Sequence, residues 1–221
     1  MNACLFSGGK DSTLALHKAI ESGVNIDALI TIKPTSEESY MFHWPNVDLT
    51  EIQAEAMGLK HIFAYTEGVK EEELKDLEEV LVKNNVKLLV TGATYSKYQF
   101  DRIAAIAKRN KIENVAPLWH IDPITELNEI AEKYTAIITS VSAEGLDETF
   151  LGERIDKKMI KRLEEVHKKY QINMLFEGGE AESFVLDAPL FKKKIEIKKA
   201  HKVLQHNIGR YIIDEAEFAE K

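Results

Sequence analysis

The sequence predicts an α/β fold: a five-stranded, parallel, doubly wound sheet followed by a smaller α+β domain. Three features of the 221 residues carry this expectation. Short apolar runs alternate with helical patterns through the first 120 residues. Those runs lack the in-out alternation of a half-exposed strand, as strands covered on both faces do. After His120 the pattern changes to a helix, isolated strands and a late pair of alternating segments. The expected boundary therefore lies near residue 120, dividing a first domain, residues 1–120, from a second, residues 121–221.

In chain order, strands are expected over residues 3–6, 26–32, 61–65, 87–92 and 115–119. Helical patterns fall between them, near 10–22, 48–58, 70–84 and 96–110. Right-handed strand–helix–strand crossovers then favour the spatial order 3-2-1-4-5. In such sheets ligands bind beyond the carboxyl ends of the strands, where the winding reverses. The turn after strand 1 and the segment Gly92-Ala93-Thr94-Tyr95-Ser96 after strand 4 would face that crevice together. Beyond residue 120, Asp122-Pro123 opens a helix to Tyr134. A strand over 135–141, a loop over 142–152 and a helix near 155–169 follow. The turn Glu177-Gly178-Gly179-Glu180 precedes alternating strands near 194–204 and 207–213.

The first turn carries the chemistry. Ser7-Gly8-Gly9-Lys10-Asp11-Ser12 stands between an apolar strand and an amphipathic helix. A helix N-terminus offers unpaired N–H groups and the positive end of the macrodipole, which suits phosphate. The glycines let backbone approach the oxygens, Ser7 and Ser12 add hydroxyl donors, and Lys10 adds a charge. The spacing matches neither the Walker A loop nor the G-x-G-x-x-G dinucleotide fingerprint.

Composition narrows the class further. The net charge of −8 disfavours a nucleic-acid partner, because neutralising phosphates needs a basic surface. An acidic run from Glu67 to Glu79, with Glu71-Glu72-Glu73 inside it, reads as a solvated helix face, and Lys192–Lys202 as the wet face of an edge strand. No apolar run approaches the ~18 residues of a membrane span, and residues 1–6 are unlike a signal peptide, so a cytoplasmic protein is expected. The one cysteine, Cys4, excludes an internal disulfide and a thiolate metal cluster.

The S-G-G-x-D-S loop resembles that of the PP-loop, or N-type, ATP pyrophosphatases, whose sheet is of the HUP type. The motifs together resemble the diphthine–ammonia ligase branch of that superfamily over nearly the whole chain. They are the loop itself, Ser39-Tyr40-Met41-Phe42-His43, Gly92-Ala93 with Ser96-Lys97-Tyr98-Gln99 and Arg102, Leu118-Trp119, Gly145-Leu146, Leu151-Gly152, and Glu177-Gly178-Gly179-Glu180 running to Asp187-Ala188-Pro189-Leu190-Phe191. The last is the most specific. Two departures are Ala181, where the family usually has an aromatic residue, and Ser183, where it usually has threonine.

The resemblance implies a ligase that adenylates the carboxylate of diphthine on translation elongation factor 2 and amidates it with ammonium. The products would be diphthamide, AMP and pyrophosphate, with ATP and Mg²⁺ as cofactors. Ser7, Gly8, Gly9, Lys10, Asp11, Ser12, Ile32, Gly92 and Ser96 would bind the nucleotide, with Lys10 and the loop backbone on its β and γ phosphates. Asp11 either contacts Mg²⁺ or is a helix-start carboxylate. Arg102 either reaches the α-phosphate or lies on the surface. Lys10, Asp11, Arg102 and Glu180 form the expected catalytic set. Glu177, Gly178, Gly179, Glu180, Glu182 and Asp187 would meet the substrate, because crowded carboxylates demand a cation or donors, and a trimethylammonium or ammonium is such a cation. Tyr98 and Trp119 either offer that cation an aromatic face or pack the interior. His43 and His120 lie in loops near the crevice. A homodimer is left open.

Two other readings compete. Sulfur-transferring PP-loop enzymes that modify tRNA need a reactive cysteine, and Cys4 lies within strand 1, where burial makes a thiol inert. A non-enzymatic nucleotide sensor would not require the acidic turn. A glutaminase also needs a cysteine nucleophile, so free ammonium is the expected nitrogen donor.

Overall fold

The computed structural model describes residues 1–35, 46–67 and 72–221. The segment Ser39–His43 and Glu71 lie outside these residues.

The first half builds one parallel sheet from β1 (Asn2–Leu5), β2 (Ala28–Pro34), β3 (Lys60–Thr66), β4 (Leu88–Val90) and β5 (Glu113–Val115), in the order β3-β2-β1-β4-β5. Between them run α1 (Lys10–Glu21), α2 (Thr50–Met57, after a 3-10 turn over Val47–Leu49), α3 (Glu73–Lys83) and α4 (Lys97–Arg109). Successive strand residues point to opposite faces, and both faces are covered. Ala3, Ile30 and Leu89 pack with Leu77 and Leu81 of α3 and Ile103 and Ile106 of α4. Cys4, Leu29 and Val90 pack on the other side with Leu14 and Leu16 of α1 and Ala54 of α2. This two-sided burial explains the unbroken apolar runs.

The second half contributes α5 (Pro123–Lys133), β6 (Thr135–Val141), α6 (Lys157–Tyr170), β7 (Ala181–Asp187), β8 (Lys194–Gln205) and β9 (Ile208–Ala219). Its four strands form an antiparallel sheet in the order β7-β6-β9-β8. Asp122 caps α5 by accepting from the Thr125 amide at 2.8 Å, with Pro123 in the first turn, where its missing N–H costs nothing. Asp156 caps α6 in the same way through Met159. Leu127, Ile130, Ile138 and Leu163 join the α1 face of the first sheet in one continuous apolar cluster.

Three elements differ from expectation. The fifth strand ends at Val115, and residues 116–119 form a turn closed by Trp119 N–H donating to the Ala116 carbonyl at 3.1 Å. Pro117, which has no N–H to offer a ladder, sits inside that turn. No strand is expected over 181–187, where Glu182 and Ser183 interrupt the apolar pattern; pairing with β6 makes Ala181–Asp187 the strand β7. Strand β9 continues to Ala219 because it pairs with β8 along its whole length. Among the described residues, no helix is long and apolar enough to cross a membrane.

Candidate active site

Strand β1 delivers the chain to the turn, and α1 begins at Lys10 with Gly9 as its N-cap. Gly8 adopts φ +79°, and a Cβ there would lie 2.4 Å from Gln53 Oε1. Glycine is therefore required at this position by conformation and by space. The turn is held from inside. Ser7 and Ser12 hydroxyls lie 3.2 Å apart, and Thr13 Oγ1 donates to the Gly9 carbonyl at 2.8 Å. Gly92, at the end of β4, packs against the same helix start; a Cβ there would stand 2.8 Å from the Ser12 nitrogen.

Lys10 is buried, with 1% of its surface exposed. Its ammonium donates to Asp11 Oδ1 at 2.5 Å and to the Leu175 carbonyl at 2.8 Å, and lies 5.2 Å from the Phe176 ring centre. Burial works against the charge, but neighbouring carboxylates, Asp11 foremost, outweigh it and hold the lysine above its ordinary pKa. Behind this pair stands Glu126 of α5, completely buried, with neither oxygen in a well-formed hydrogen bond. Burial first, and the charge of Asp11 second, push its carboxyl far above the usual range, so it keeps its proton at neutral pH.

The acidic turn is fastened to the first sheet. Glu177 Oε1 accepts from the Thr94 amide at 3.0 Å and from the Thr94 hydroxyl, and Oε2 accepts from the Ser96 amide at 3.2 Å. Glu180 folds back on its own turn, accepting from the amides of Asn173 and Gly178, each at 2.8 Å. Strand β7 then docks on the Ser7–Ser12 loop. Val185 N–H donates to the Gly8 carbonyl at 3.0 Å, and Lys10 N–H donates to Ser183 Oγ at 3.1 Å. Gln53 Nε2 bridges the carbonyls of Gly8 and Val185 at 2.9 and 2.7 Å.

These pieces enclose a cavity of 540 Å³ with three walls. Leu5, Phe6, Ile32, Val47 and Ile103 form an apolar wall; Ser7, Gly9, Lys10, Asp11, Ser12 and Gly92 form the loop wall; Glu177, Gly178, Gly179, Ala181, Glu182 and Ser183 form the third. Ser96 and Tyr98 line it as well. The structure does not bring the remaining expected residues to the lining. Gly8 lies behind the loop, against Gln53. The Arg102 guanidinium covers the Tyr98 ring at 3.5 Å. Trp119 stacks between Phe100 and His120, with ring centres 4.1 and 4.7 Å away. Asp187 accepts from Lys221 Nζ at 2.8 Å and from the Ala188 amide at 2.9 Å.

Three residues of this assembly escaped sequence reasoning. Gln53 carried no signal, since its partners are distant backbone groups, and Thr94, though in the segment expected to face the crevice, gave no sign that it would hold the Glu177 carboxylate. Glu126 resembled any first-turn acid placed to suit the helix dipole.

A parallel sheet of order 3-2-1-4-5, with a glycine turn and a helix start at its central strand, defines the class: an open, doubly wound α/β fold. Residues 1–114 match the family model for the diphthamide synthase N-terminal domain, and residues 122–218 match that for the diphthamide synthase C-terminal domain. The chain belongs to the diphthamide synthase family. It is 33% identical to the diphthine–ammonia ligase of Homo sapiens, covering 91% of this chain and 84% of that protein. The Bos taurus diphthine–ammonia ligase is 34% identical, with 95% and 86% covered. Among solved structures, the predicted subunit of tRNA methyltransferase from Methanocaldococcus jannaschii DSM aligns at a TM-score of 0.46 with 16% identity, covering 85% of this chain and 97% of that one.

Proposed function

We propose that this chain is an ATP-dependent ligase of diphthamide synthesis. It adenylates the carboxylate of diphthine on translation elongation factor 2, then amidates it with ammonium, releasing AMP and pyrophosphate. One observation carries the reading beyond family membership. The phosphate loop and the acidic turn are two walls of one cavity, joined by direct hydrogen bonds between Gly8 and Val185 and between Lys10 and Ser183.

Each wall has a task in this reaction. The apolar wall suits a flat base. The loop and the start of α1 suit the terminal phosphates, which leave together as pyrophosphate while N–H and hydroxyl donors take up the growing charge. A carboxylate does not react with ammonia at neutral pH because its leaving group would be an oxide; an adenylate replaces that with AMP. Attack on the α-phosphate then comes from the open side, which the acidic wall borders.

Ammonium must lose a proton before it can attack. Glu182 lines the cavity and would take that proton, whereas Glu180 is turned into its own loop. Tyr98 lines the cavity but its ring already carries the Arg102 guanidinium, so the trimethylammonium of diphthine would be met by the carboxylates of the acidic wall. Among the described residues no group of three or more His, Cys, Asp or Glu could by itself hold a metal ion. Mg²⁺ is commonly held by one carboxylate and substrate phosphates, and Asp11, at the loop wall, fits that part. Bound there, it would neutralise charge on the leaving group.

Sulfur transfer fits the site poorly. Cys4 is fully buried, and burial drives its thiol pKa up, away from thiolate. The reaction medium would be the cytoplasm, where elongation factor 2 works. The test is incubation with ATP, ammonium and diphthine-bearing elongation factor 2, followed by mass spectrometry of the factor. Conversion of the acid to the amide, dependent on both ATP and ammonium, is expected; an unaltered factor would overturn the proposal.

A further inference from the structure

We propose that Ser183 is a nucleotide ligand supplied by the second sheet, its hydroxyl donating to a terminal phosphate of ATP. The inference rests on the ATP reading above.

The argument begins with the hydroxyl's valence. A serine hydroxyl has one proton to donate and two lone pairs to accept with. Ser183 Oγ accepts from the backbone N–H of Lys10, the first residue of α1, at 3.1 Å. That bond uses a lone pair and leaves the hydroxyl proton to be given elsewhere. Ser183 lines the same cavity as Ser7, Gly9 and Ser12, so the available direction is toward the phosphate position. The helix-start N–H thus polarises a hydroxyl, and the hydroxyl extends its reach by one atom. A donor of this kind to an anionic oxygen makes a short, charge-assisted bond, stronger than a neutral one.

The position of Ser183 is fixed on both sides. Two residues on, Val185 N–H is bonded to the Gly8 carbonyl at 3.0 Å, and Gln53 clamps the Gly8 and Val185 carbonyls together. On the loop side, a Cβ at position 9 would lie 3.2 Å from the Ser183 carbonyl and 3.5 Å from its hydroxyl, so the bare backbone of Gly9 is what admits the strand this closely. Strand β7 therefore carries a phosphate donor next to Glu182, the acid facing the acceptor. One rigid strand would sense the leaving group and present the amidation chemistry.

The test compares two nucleotides on three proteins: wild type, Ser183→Ala and Ser183→Thr. Binding of α,β-methylene-ATP and of AMP is measured by calorimetry. Ser183→Ala should weaken α,β-methylene-ATP by about threefold to tenfold, the worth of one hydrogen bond, and leave AMP within about twofold. Ser183→Thr, which keeps the hydroxyl, should restore the triphosphate analogue. AMP has no terminal phosphates, so it also reports whether the variant cavity is intact. Equal weakening of both nucleotides, or an unchanged affinity for the analogue in Ser183→Ala, would overturn the assignment. A wild-type protein that binds neither nucleotide would overturn the ATP reading and the assignment with it.

Discussion

Val185 donates its backbone N–H to the carbonyl of Gly8 at 3.0 Å, so the strand behind the acidic turn is bonded straight into the Ser7–Ser12 loop. The Gly8 carbonyl takes a second bond from Gln53 at 2.9 Å. The loop wall and the acidic wall of the cavity therefore keep a set separation. For the two-step ligation proposed above this matters: the group activated in the first step must stay where the second nucleophile arrives.

Gly92→Ala tests how closely the far strand must approach the loop. The added methyl would meet backbone atoms of Ser12 and Asp11 at 2.8 and 2.9 Å, which cannot rotate away. Denaturant unfolding should show a loss of about 1–3 kcal/mol, the usual cost of overpacking. Nucleotide affinity should fall with it. An alanine variant as stable as the wild type would show that β4 and α1 have room to part.

Glu180→Gln and Glu182→Gln should separate structure from chemistry. Glu180 holds its turn through two amide N–H groups, and a glutamine offers one oxygen where two are used. Its loss should cost about 1–2 kcal/mol of stability, discounted for partial exposure, and should lower ligation while nucleotide binding holds. Glu182→Gln, at the cavity lining, should lower ligation more steeply than Glu180→Gln. Thermal melts beside a product assay decide it; the reverse pattern would make Glu180 the working acid.

The pattern of helices and strands in the first half was legible because the central strands β1, β2 and β4 are apolar on both faces, and Gly8-Gly9 marks the turn. The sheet order followed from the handedness of crossovers. The second half was harder. Nothing local marks Ala181-Glu182-Ser183 as strand, since its partners are β6 and the phosphate loop, far away in sequence. The direction of Glu180 was equally hidden, because the amides it holds belong to a turn whose shape depends on the fold. Trp119 looked suited to a cation, but Phe100 and His120 flank its ring. Motifs disclosed which residues gather; they did not disclose which way each side chain turns.

His17 should make stability depend on pH. Its Nδ1 bonds the Thr13 carbonyl at 2.8 Å, its Nε2 accepts from the Leu190 amide at 2.9 Å, and Tyr134 packs edge-on at 5.2 Å. The neutral ring is thus required, and burial lowers its pKa. The unfolded chain takes up a proton near pH 6.5 and the folded one resists, so stability is full above that point and is lost as pH falls below it. His61 is depressed by burial too and adds in the same direction. The unfolding free energy should fall from about pH 7.5 to 5.5 by up to ~1.4 kcal/mol per unit for each histidine. His17→Gln should flatten the slope; an unchanged slope would clear this residue.

Cys4→Ser should leave turnover within about twofold of wild type, because a buried thiol held far from thiolate performs no step. Complete loss of activity in a folded variant would bring sulfur chemistry back.

The most direct measurement follows oxygen. With ¹⁸O in the carboxylate of diphthine-bearing elongation factor 2, attack on the α-phosphate should leave one labelled oxygen in AMP, with unlabelled pyrophosphate as the other product. ADP as the nucleotide product, or label in inorganic phosphate, would contradict adenylation in this cavity.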